Sequence, residues 1–291
     1  MAKIKIITDS TSDLTPTLYK KLGCDIARLK VNFGLESYVD GKDIDIDKLY
    51  QLVEEKQVLP KTSACSVGEI IELFEKNIKE GYEIIFVGIS SLFSSNVNNA
   101  RIAASSIENS DKKIRVVDSM SLSSGIGLLL FKIHEDINAD LSLEEVYQNA
   151  LKIIPNINAE FVVDTMEFLF KGGRCSGLSY FFGKAFKIHP VIRVENGGMV
   201  VHKLPRGRIE KGVDVQINEF KEQLEKNNVD LSNIFITHSK GGDSIQYMFD
   251  EVSKLVDPSI ISITEAGCIV SSHCGKGTIG LLYITKEKVI K

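Results

Sequence analysis

Short apolar runs alternate with segments of helix length through the first half of the chain. The runs KIKIITD, EIIFVGI and IRVVD are rich in Ile and Val, and an amphipathic stretch follows each of them. Strands that are covered on both faces of a parallel sheet are almost continuously apolar, as these runs are. The alternation therefore predicts βαβ units and an α/β fold with a mainly parallel sheet.

A proline near the middle of the chain marks a predicted domain boundary. Pro155 ends a long helical region and precedes the strand-like run FVVD. A chain of 291 residues is long enough for two domains of ordinary size. We expect an N-terminal α/β domain over 1–158, a C-terminal α+β domain over 159–291, and a ligand between them.

Local signals mark several helix starts and turns. Thr15 before Pro16 is typical of a helix N-terminus with proline at the first helical position. Two Ser–Glu pairs have the spacing of a capping box: Ser66 with Glu69, and Ser142 with Glu145. Two dipeptides are expected to turn hairpins: Asp40–Gly41 after CDIARLKVNFGLESYV, and Gly197–Gly198 in HPVIRVENGGMVVHKL.

Charge and hydropathy limit the partners and the location of the protein. The formal net charge is -4, and because nucleic-acid binding relies on clustered Lys and Arg, we expect no nucleic-acid partner. The N-terminal MAKIKIITDS lacks an apolar leader, and the most apolar stretch, GIGLLLFKI, is interrupted by Lys132. We expect a cytoplasmic protein without a membrane-spanning segment.

The five cysteines are widely spaced and form no CxxC pair, and no His pair has the spacing of zinc ligands. We expect reduced thiols and no metal site.

An Asp followed by a hydroxyl residue ends three strand-like runs, ITDS, VVDS and VVDT. In open α/β sheets the carboxyl ends of the strands form the ligand crevice. The candidate rim residues are Asp9, Ser10, Asp118, Ser119, Asp164 and Thr165. The alternative is that these side chains only cap the helices that follow.

The stretch GISSLFSSNVNNA contains four serines at the end of the apolar run EIIFVGI: Ser90, Ser91, Ser94 and Ser95. It lacks the GxSxG elbow of serine hydrolases, and the chain has no GxxxxGK[ST] phosphate loop. Hydroxyl groups at a strand exit before a helix N-terminus suit a small anion such as a carboxylate. A plain serine-rich helix cap is the alternative.

Three further polar residues are candidates for the same site. Thr62, in PKTSACSVGEI, is not explained by the capping box beside it. Arg174 stands where Gly172–Gly173 ends one helix and Ser176 can begin the next, so it either pairs with a buried carboxylate or faces a ligand anion. His273 is expected in the glycine-rich turn of IVSSHCGKGTIG, as a structural or a site residue.

Two other segments have unusual composition. The segment EFVVDTMEFLFKGGRCSGLSYFFGKAF is rich in aromatic residues, which is typical of a core or of a pocket wall: Phe161, Phe168, Phe170, Tyr180, Phe181, Phe182 and Phe186. The loop HKLPRGRIEKG is basic and is either solvated or a docking surface for an acidic partner: His202, Lys203, Arg206, Arg208 and Lys211.

Eight segments in order resemble the DegV family of bacterial fatty-acid-binding proteins: ITDSTSDL, YVDG, KTSACSVGE, ISSLFSSN, VVDS, FVVDTMEFLFKGGRCS, LPRGR and SSHCGKGTIG. The resemblance runs essentially from end to end, and the element DT-x-E-x-L-x-x-GGR is its most specific part.

The resemblance implies a two-domain α/β protein that holds one long-chain fatty acid between its domains. The protein would present the carboxyl group to a separate ATP-dependent acyl kinase, and the acyl phosphate would serve phospholipid synthesis. The chain itself would need no cofactor and would not be the enzyme. The resemblance allows transient contact with a membrane.

The same resemblance assigns roles to five residues. Thr62 and Ser94 match the hydroxyl residues that bind the carboxylate. Arg174 and His273 match the basic residues beside it and would supply positive potential. Arg206 matches a basic position in the loop that docks the kinase.

Two motifs depart from the family pattern. The usual SSGLSGT reads SSLFSSN here, so that Leu92 and Ser95 replace glycines and Asn96 replaces a threonine. The usual HTGPG reads HCGKG, which puts Lys276 near the mouth of the site. Both departures bear on the geometry around the head group.

Two other functional classes fit parts of the sequence. A small-carbonyl-binding protein or enzyme subunit related to dihydroxyacetone kinase would use His273 to hold its substrate. The second class is a lipid carrier without a kinase partner. The aromatic-rich segment and the missing nucleotide loop favour fatty-acid binding over the first class. The sequence leaves open the acyl length, the unsaturation and the oligomeric state.

Overall fold

The computed structural model describes residues 3–175 and 188–289. The strands are β1 (Lys3–Asp9), β2 (Asp25–Ala27), β3 (Lys30–Phe33), β4 (Glu36–Val39), β5 (Lys61–Ser63), β6 (Tyr82–Gly88), β7 (Ile114–Asp118), β8 (Ile157–Val162), β9 (Val191–Glu195), β10 (Gly198–Lys203), β11 (Val229–Ser239), β12 (Ile261–Glu265) and β13 (Thr278–Thr285). The helices are α1 (Pro16–Leu22), α2 (Ile46–Lys56), α3 (Val67–Lys79), α4 (Asn96–Ser105), α5 (Ser110–Lys113), α6 (Ser124–Asn138), α7 (Leu143–Ile153), α8 (Glu167–Gly172), α9 (Glu210–Glu225), α10 (Asp243–Ser253) and α11 (Cys268–Cys274).

The first half of the chain contains a parallel sheet in the order β2-β1-β6-β7. Its central strands β1 and β6 are the runs that the sequence predicts, and they are buried where helices cover them. The α/β fold class is therefore confirmed. β1 ends at Asp9, β7 ends at Asp118, and the carboxyl end of β6 leads into the loop that holds the four serines.

The strands between β2 and β6 in chain order form a small antiparallel sheet in the order β4-β3-β5. Its hairpin turns at Gly34–Leu35, where Gly34 has φ +63°, so the prediction that Asp40–Gly41 closes this hairpin is wrong. The chain does turn at Asp40–Gly41, but after β4. Either glycine can supply the positive φ of a tight turn. The Asp40 carboxylate is instead used in a contact with Cys268, described below.

The second half of the chain forms a mixed sheet in the order β10-β9-β8-β13-β11-β12. Its hairpin β9–β10 turns at Asn196–Gly197, one residue before the predicted Gly197–Gly198. Both turn residues have positive φ, +49° and +83°, as a two-residue type I′ turn requires, and Asn-Gly is the preferred pair there. Gly198 already pairs with Glu195 in the ladder.

Helix α6 is the central element of the core. It packs against β1 and β6 of the parallel sheet and against β8, β11 and β13 of the mixed sheet. Its residues Ser124–Phe131 and Ile133 are buried, so the apolar run GIGLLLFKI is a core helix. Within 3–175 and 188–289, no helix combines the length and the hydropathy needed to cross a membrane.

One apolar cluster contains residues from both halves of the chain, among them Val87, Leu129, Phe161 and Leu282. The predicted boundary between residues 158 and 159 falls inside β8. The division into two domains stays a prediction.

The local helix signals are confirmed. Thr15 caps α1 by accepting a hydrogen bond from the Leu18 N–H, and Pro16 is the first residue of that helix. The Ser66–Glu69 and Ser142–Glu145 capping boxes are both formed. Gly173 ends α8 in the left-handed conformation, at φ +66°. The predicted helix start at Ser176 lies outside the described residues.

Candidate functional site

One cavity, called the front cavity here, brings together four of the residues singled out in the sequence. Thr62 comes from β5, Ser94 from the loop before α4, Arg174 from the segment after α8, and His273 from α11. The other described wall residues are mostly aliphatic: Leu29, Ile89, Phe93, Leu122, Met199, Ile269, Val270 and Cys274. The space open to water-sized molecules is about 40 Å³, which is room for a few waters.

Two asparagines of α4 connect the segment after β5, the strand that carries Thr62, to the helix that follows Ser94. The Asn96 side chain accepts a hydrogen bond from the Cys65 N–H at 3.1 Å and donates to Asp9 Oδ2 at 3.0 Å. Asn99 Nδ2 donates to the Cys65 carbonyl oxygen at 2.7 Å. The segment after Thr62 is thereby tied to the start of α4, which follows Ser94. Asn96, which departs from the family pattern, is a structural bridge.

Asp9 is fully buried at the end of β1 and accepts hydrogen bonds on both carboxylate oxygens. Oδ2 also receives the Ile89 N–H at 2.9 Å, and Oδ1 receives the Thr11 N–H at 3.1 Å. Burial raises the pKa of this carboxyl group, and the hydrogen bonds oppose the rise. Asp9 therefore organises the loops behind the front cavity and does not line it.

The other predicted rim residues have structural partners, but most of these partners are not the start of the following helix, as the capping alternative would require. The Asp118 carboxylate accepts from the backbone of Ser91 and Met120, and Ser119 bonds with the backbone of Ser121. The remaining three partner as follows: Ser10 accepts from the Leu29 N–H, Asp164 lies 3.4 Å from His189, and Thr165 accepts from the Glu167 N–H.

The four serines have separate roles. Ser90 is buried and donates its hydroxyl to the Gly197 carbonyl oxygen at 2.7 Å, which links the loop to the β9–β10 hairpin. Ser91 contacts Asp118 through its backbone. Ser95 is exposed and makes no side-chain cap bond to α4. Ser94 is the one among the four that lines the front cavity.

His273 lies in the last turn of α11, so its predicted position in a glycine-rich turn is wrong. The helix extends through Cys274, and Gly275 ends it with φ +81°. His273 Nε2 lies 2.9 Å from Thr62 Oγ1. Its Nδ1 is buried without a hydrogen-bond partner among the described residues, and a Cβ at Gly172 would lie 2.6 Å from that atom.

This packing leaves His273 uncharged at neutral pH. Burial, together with the nearby charge of Arg174, lowers its pKa to about 4. The expectation that His273 supplies positive potential is therefore wrong. Of the described residues that line the cavity, Arg174 carries the positive charge; it is exposed and donates to the Gly172 carbonyl oxygen at 2.6 Å.

The contacts of His273 also orient the Thr62 hydroxyl. A buried N–H without an acceptor is rarer in proteins than an unpaired acceptor, so we assign the proton to Nε2 and the lone pair to Nδ1. Nε2–H then donates to Thr62 Oγ1, and the Thr62 hydroxyl is left to donate elsewhere. Ser94 Oγ likewise accepts from the Asn96 N–H at 3.3 Å and keeps its own proton to donate.

Two buried carboxylates from the first half of the chain hold the start of α11. Asp13 Oδ1 accepts from the Gly267 N–H at 2.9 Å, and Asp40 Oδ1 accepts from the Cys268 N–H at 3.0 Å. Burial and mutual repulsion raise the pKa of Asp13, and burial raises that of Asp40. Helix α11 is thus fixed at both ends, through these carboxylates and through the contact of His273 with Thr62.

This role of Asp13 and Asp40 could not be predicted from neighbouring residues, because their partners are more than 200 residues away. Most residues of the apolar wall were also not among the predicted site residues. Ile89 and Phe93 flank the serines in sequence and could have been proposed on that ground.

The basic loop separates into two parts. His202 Nε2 lies 2.6 Å from Glu219 Oε1 and Lys203 Nζ lies 2.8 Å from it, so these two side chains belong to an ion-paired network. Lys203 is nevertheless exposed, as are the other basic residues of the loop, Arg206, Arg208 and Lys211. Arg206 lies between β10 and α9 and does not line the front cavity.

The ion-paired network has the spacing of a metal site but is occupied by an arginine. Ligand atoms of Glu160, His202 and Glu219 lie within 4.8 Å of one another. Arg193, which is 3% exposed, donates to both glutamates and contacts the His202 ring. All five cysteines are free thiols.

The departures at the cavity are mostly exposed. Leu92 is 64% exposed, and Ser95 and Lys276 are exposed too. In the aromatic-rich segment, Phe161 and Phe168 are buried in the core and Phe170 is 38% exposed. Tyr180, Phe181, Phe182 and Phe186 lie outside the described residues.

Several solved structures are similar to this chain over nearly its whole length. A fatty-acid-binding DegV family protein from Thermus thermophilus is 27% identical, with a TM-score of 0.88, and the match covers 98% of this chain and 100% of that one. A stearic-acid-binding protein from Eubacterium ventriosum is 26% identical, with a TM-score of 0.84, and covers 98% and 99%. DegV from Bacillus subtilis, 24% identical with a TM-score of 0.87, shares the fold.

Sequence comparison gives the same family. A DegV domain-containing protein of Clostridium acetobutylicum is 29% identical over 291 residues, which are 98% of this chain and all of the relative. A second one, of Clostridium perfringens, is 29% identical over 286 residues and covers 98% and 99%. The family model described as "Uncharacterised protein, DegV family" matches residues 3–286. The chain therefore belongs to the DegV family.

Proposed function

We propose that this protein binds one long-chain fatty acid in the front cavity and presents its carboxyl group to a separate ATP-dependent acyl kinase. The observation that carries the proposal is the pair of hydroxyl groups, Thr62 and Ser94, that are left free to donate beside a charged Arg174 and a wall of aliphatic side chains.

The donor pattern selects an acceptor-only head group. An ionised carboxylate accepts on both oxygens and donates nothing, so two hydroxyl donors can bind one or both of its oxygens. Hydrogen bonds to a charged acceptor are about twice as strong as neutral ones. Arg174 adds positive potential from the exposed side of the cavity. An oxygen that faces this side would be accessible to a kinase.

The apolar wall suits an acyl chain. Leu29, Ile89 and Phe93 are buried, as are most other wall residues, and each buried methylene contributes about 0.8 kcal/mol. Because the cavity offers only about 40 Å³ to water-sized molecules, the walls must separate when a long chain enters. The similarity to the fatty-acid-binding proteins of Thermus thermophilus and Eubacterium ventriosum supports this choice of ligand.

In this proposal the protein is the substrate-carrying component and the kinase is the enzyme. Arg206, exposed in the loop after β10, is the proposed docking residue for the kinase. The fatty acid is taken up during transient contact with a membrane.

The small-carbonyl alternative is less well supported by the geometry. A histidine that held a carbonyl substrate would need a free ring nitrogen that faces the cavity. His273 Nε2 is engaged by Thr62 at 2.9 Å, and Nδ1 is buried against Gly172.

Calorimetry with three ligands tests the head-group assignment. Stearic acid should bind. Stearyl alcohol has the same chain without the carboxylate and should bind at least about tenfold more weakly. Dihydroxyacetone should not bind. Equal affinity for the acid and the alcohol would contradict the carboxylate site.

A kinase assay tests the presenting role. A purified acyl kinase with ATP should form acyl phosphate from the acid only when this protein is present. Formation of acyl phosphate without this protein would contradict the presenting role.

A further inference from the structure

A second cavity lies behind the front cavity and shares part of its wall. Leu122, Val270 and Cys274 line both cavities, and each is at most 8% exposed. Val270 and Cys274 are four positions apart on α11 and therefore lie on the same face of that helix, whereas Leu122 precedes α6. We call these three residues the throat and the second cavity the deep cavity.

The hydroxyl groups around the deep cavity are already hydrogen-bonded. Thr237 Oγ1 bonds with Ser124 and with Thr264, at 2.8 Å for the latter. Ser239 bonds with Ser271, and Thr278 donates to the Cys274 carbonyl oxygen at 2.9 Å.

The remaining described wall residues add no charge. Burial lowers the pKa of His238, so that its ring is neutral at neutral pH. Ser123 donates its hydroxyl to Asp13. The other wall residues are Phe161, Ala266, Gly280 and Leu282. The His238 ring is the polar exception, since its buried Nδ1 has no hydrogen-bond partner among the described residues. The paired hydroxyls and the apolar side chains that make up the rest of the described wall suit hydrocarbon.

We propose that the deep cavity receives the distal end of the acyl chain, and that Ala266 and the throat limit the chain length that the protein retains. This inference rests on the proposed function. The two cavities share the throat as a common wall, so a chain that parts the throat passes from the front cavity into the deep one. The deep cavity offers about 20 Å³ to water-sized molecules, so added side-chain volume removes space from the chain directly.

Ala266 is the wall position where volume can be added. Its side chain is small and 5% exposed. Gly280, the other small wall residue, cannot accept a side chain, because a Cβ there would lie 2.7 Å from the Glu160 carbonyl oxygen. Val270 is the throat position where volume can be removed.

The test measures the affinities for stearic acid and for the shorter lauric acid. Ala266→Val should lower the stearic-to-lauric affinity ratio by about tenfold, because two added methyl groups displace chain methylenes that contribute about fourfold each. Val270→Ala should raise the ratio by about fourfold or more. Val252→Ala removes the same volume from a buried site on α10 that lines neither cavity, and its ratio should equal that of the wild type.

Two results would overturn the inference. If stearic acid still binds and the ratio is unchanged in both cavity variants, the chain does not reach the deep cavity, and the proposed function stands. If the wild type binds neither acid, the proposed function fails and the inference fails with it. Should Ala266→Val not fold, the ratio for Val270→Ala decides.

Discussion

At the scale of single residues, the site depends on which atoms keep a proton to donate. Thr62 and Ser94 each accept one hydrogen bond from the protein, from His273 and from the Asn96 backbone. Their own protons are then available to a ligand. This arrangement depends on His273 being neutral rather than positively charged.

We expect Ser94→Ala to weaken fatty-acid binding by about tenfold to hundredfold, because a hydrogen bond to a charged group contributes about 1.5–3 kcal/mol. The fold should be retained, since the Ser94 side chain makes a single 3.3 Å contact to the Asn96 backbone. Calorimetry with stearic acid measures the effect. Ser95→Ala, at an exposed serine one residue away, is the control and should bind as the wild type does; wild-type affinity in both variants would exclude Ser94 from the site.

The depressed pKa of His273 predicts a pH effect on stability. Its pKa is about 4 in the folded chain against 6.5 for the free side chain, so the unfolded state takes up the proton first as the pH falls. The stabilising contribution is complete above pH 6.5 and is lost between that value and about 4. The maximum slope is about 1.4 kcal/mol per pH unit.

Urea unfolding of the wild type and of His273→Gln at several pH values isolates this contribution. Asp13 and Asp40, whose raised pKa values have the opposite effect, are common to both proteins. The wild-type free energy of unfolding should fall more steeply than that of the variant as the pH decreases. Parallel curves would show that His273 does not titrate as described.

At the scale of elements, α11 connects the two halves of the chain. Its first turn is held by Asp13 and Asp40, and its last turn reaches Thr62. Four residues of the front cavity, from Ile269 to Cys274, lie on this helix. The contacts that hold the start of α11 therefore also position the cavity residues on this helix.

We expect Asp40→Ala to lower the free energy of unfolding by about 1–3 kcal/mol, because it leaves the buried Cys268 N–H without an acceptor. Asp40→Asn keeps an acceptor oxygen and removes a buried charge, so it should be clearly more stable than Asp40→Ala. Urea unfolding at neutral pH compares the two. Equal loss in both variants would show that the hydrogen bond to α11 is not what matters at this position.

Elements with local signals could be predicted, and contacts between distant segments could not. The strands at Lys3–Asp9 and Tyr82–Gly88 and the capping boxes follow from neighbouring residues alone. The hairpin turn could not be placed, because Gly34 and Gly41 both permit a positive φ. The glycines that closely follow His273 in the sequence suggested a turn. The helix nevertheless includes His273 and ends only at the first of these glycines.

At the scale of the whole molecule, the front cavity is built by both halves of the chain. Thr62 and Ser94 come from the first half, and Arg174 and His273 come from the second. The family motifs located these four residues in the sequence, but their meeting in one cavity depends on the core shared around α6. The exact wall, including Leu122 and Met199, could not be derived from spacing.

The separation of Arg206 from the front cavity predicts separable functions. Arg206→Ala should leave the affinity for stearic acid unchanged and should lower acyl phosphate formation in the assay with an acyl kinase and ATP, because loss of an interface charge slows association. Arg101→Ala, at an exposed arginine on α4, serves as the control. Unchanged turnover in Arg206→Ala would remove this residue from the docking surface.

The most direct test of the central claim is to weigh the purified protein by native mass spectrometry and to identify what organic solvent extracts from it. The account predicts one fatty acid per chain, and it predicts that Ser94→Ala retains less of it than Ser95→Ala. A protein that yields no fatty acid and does not take up added stearic acid would contradict the account.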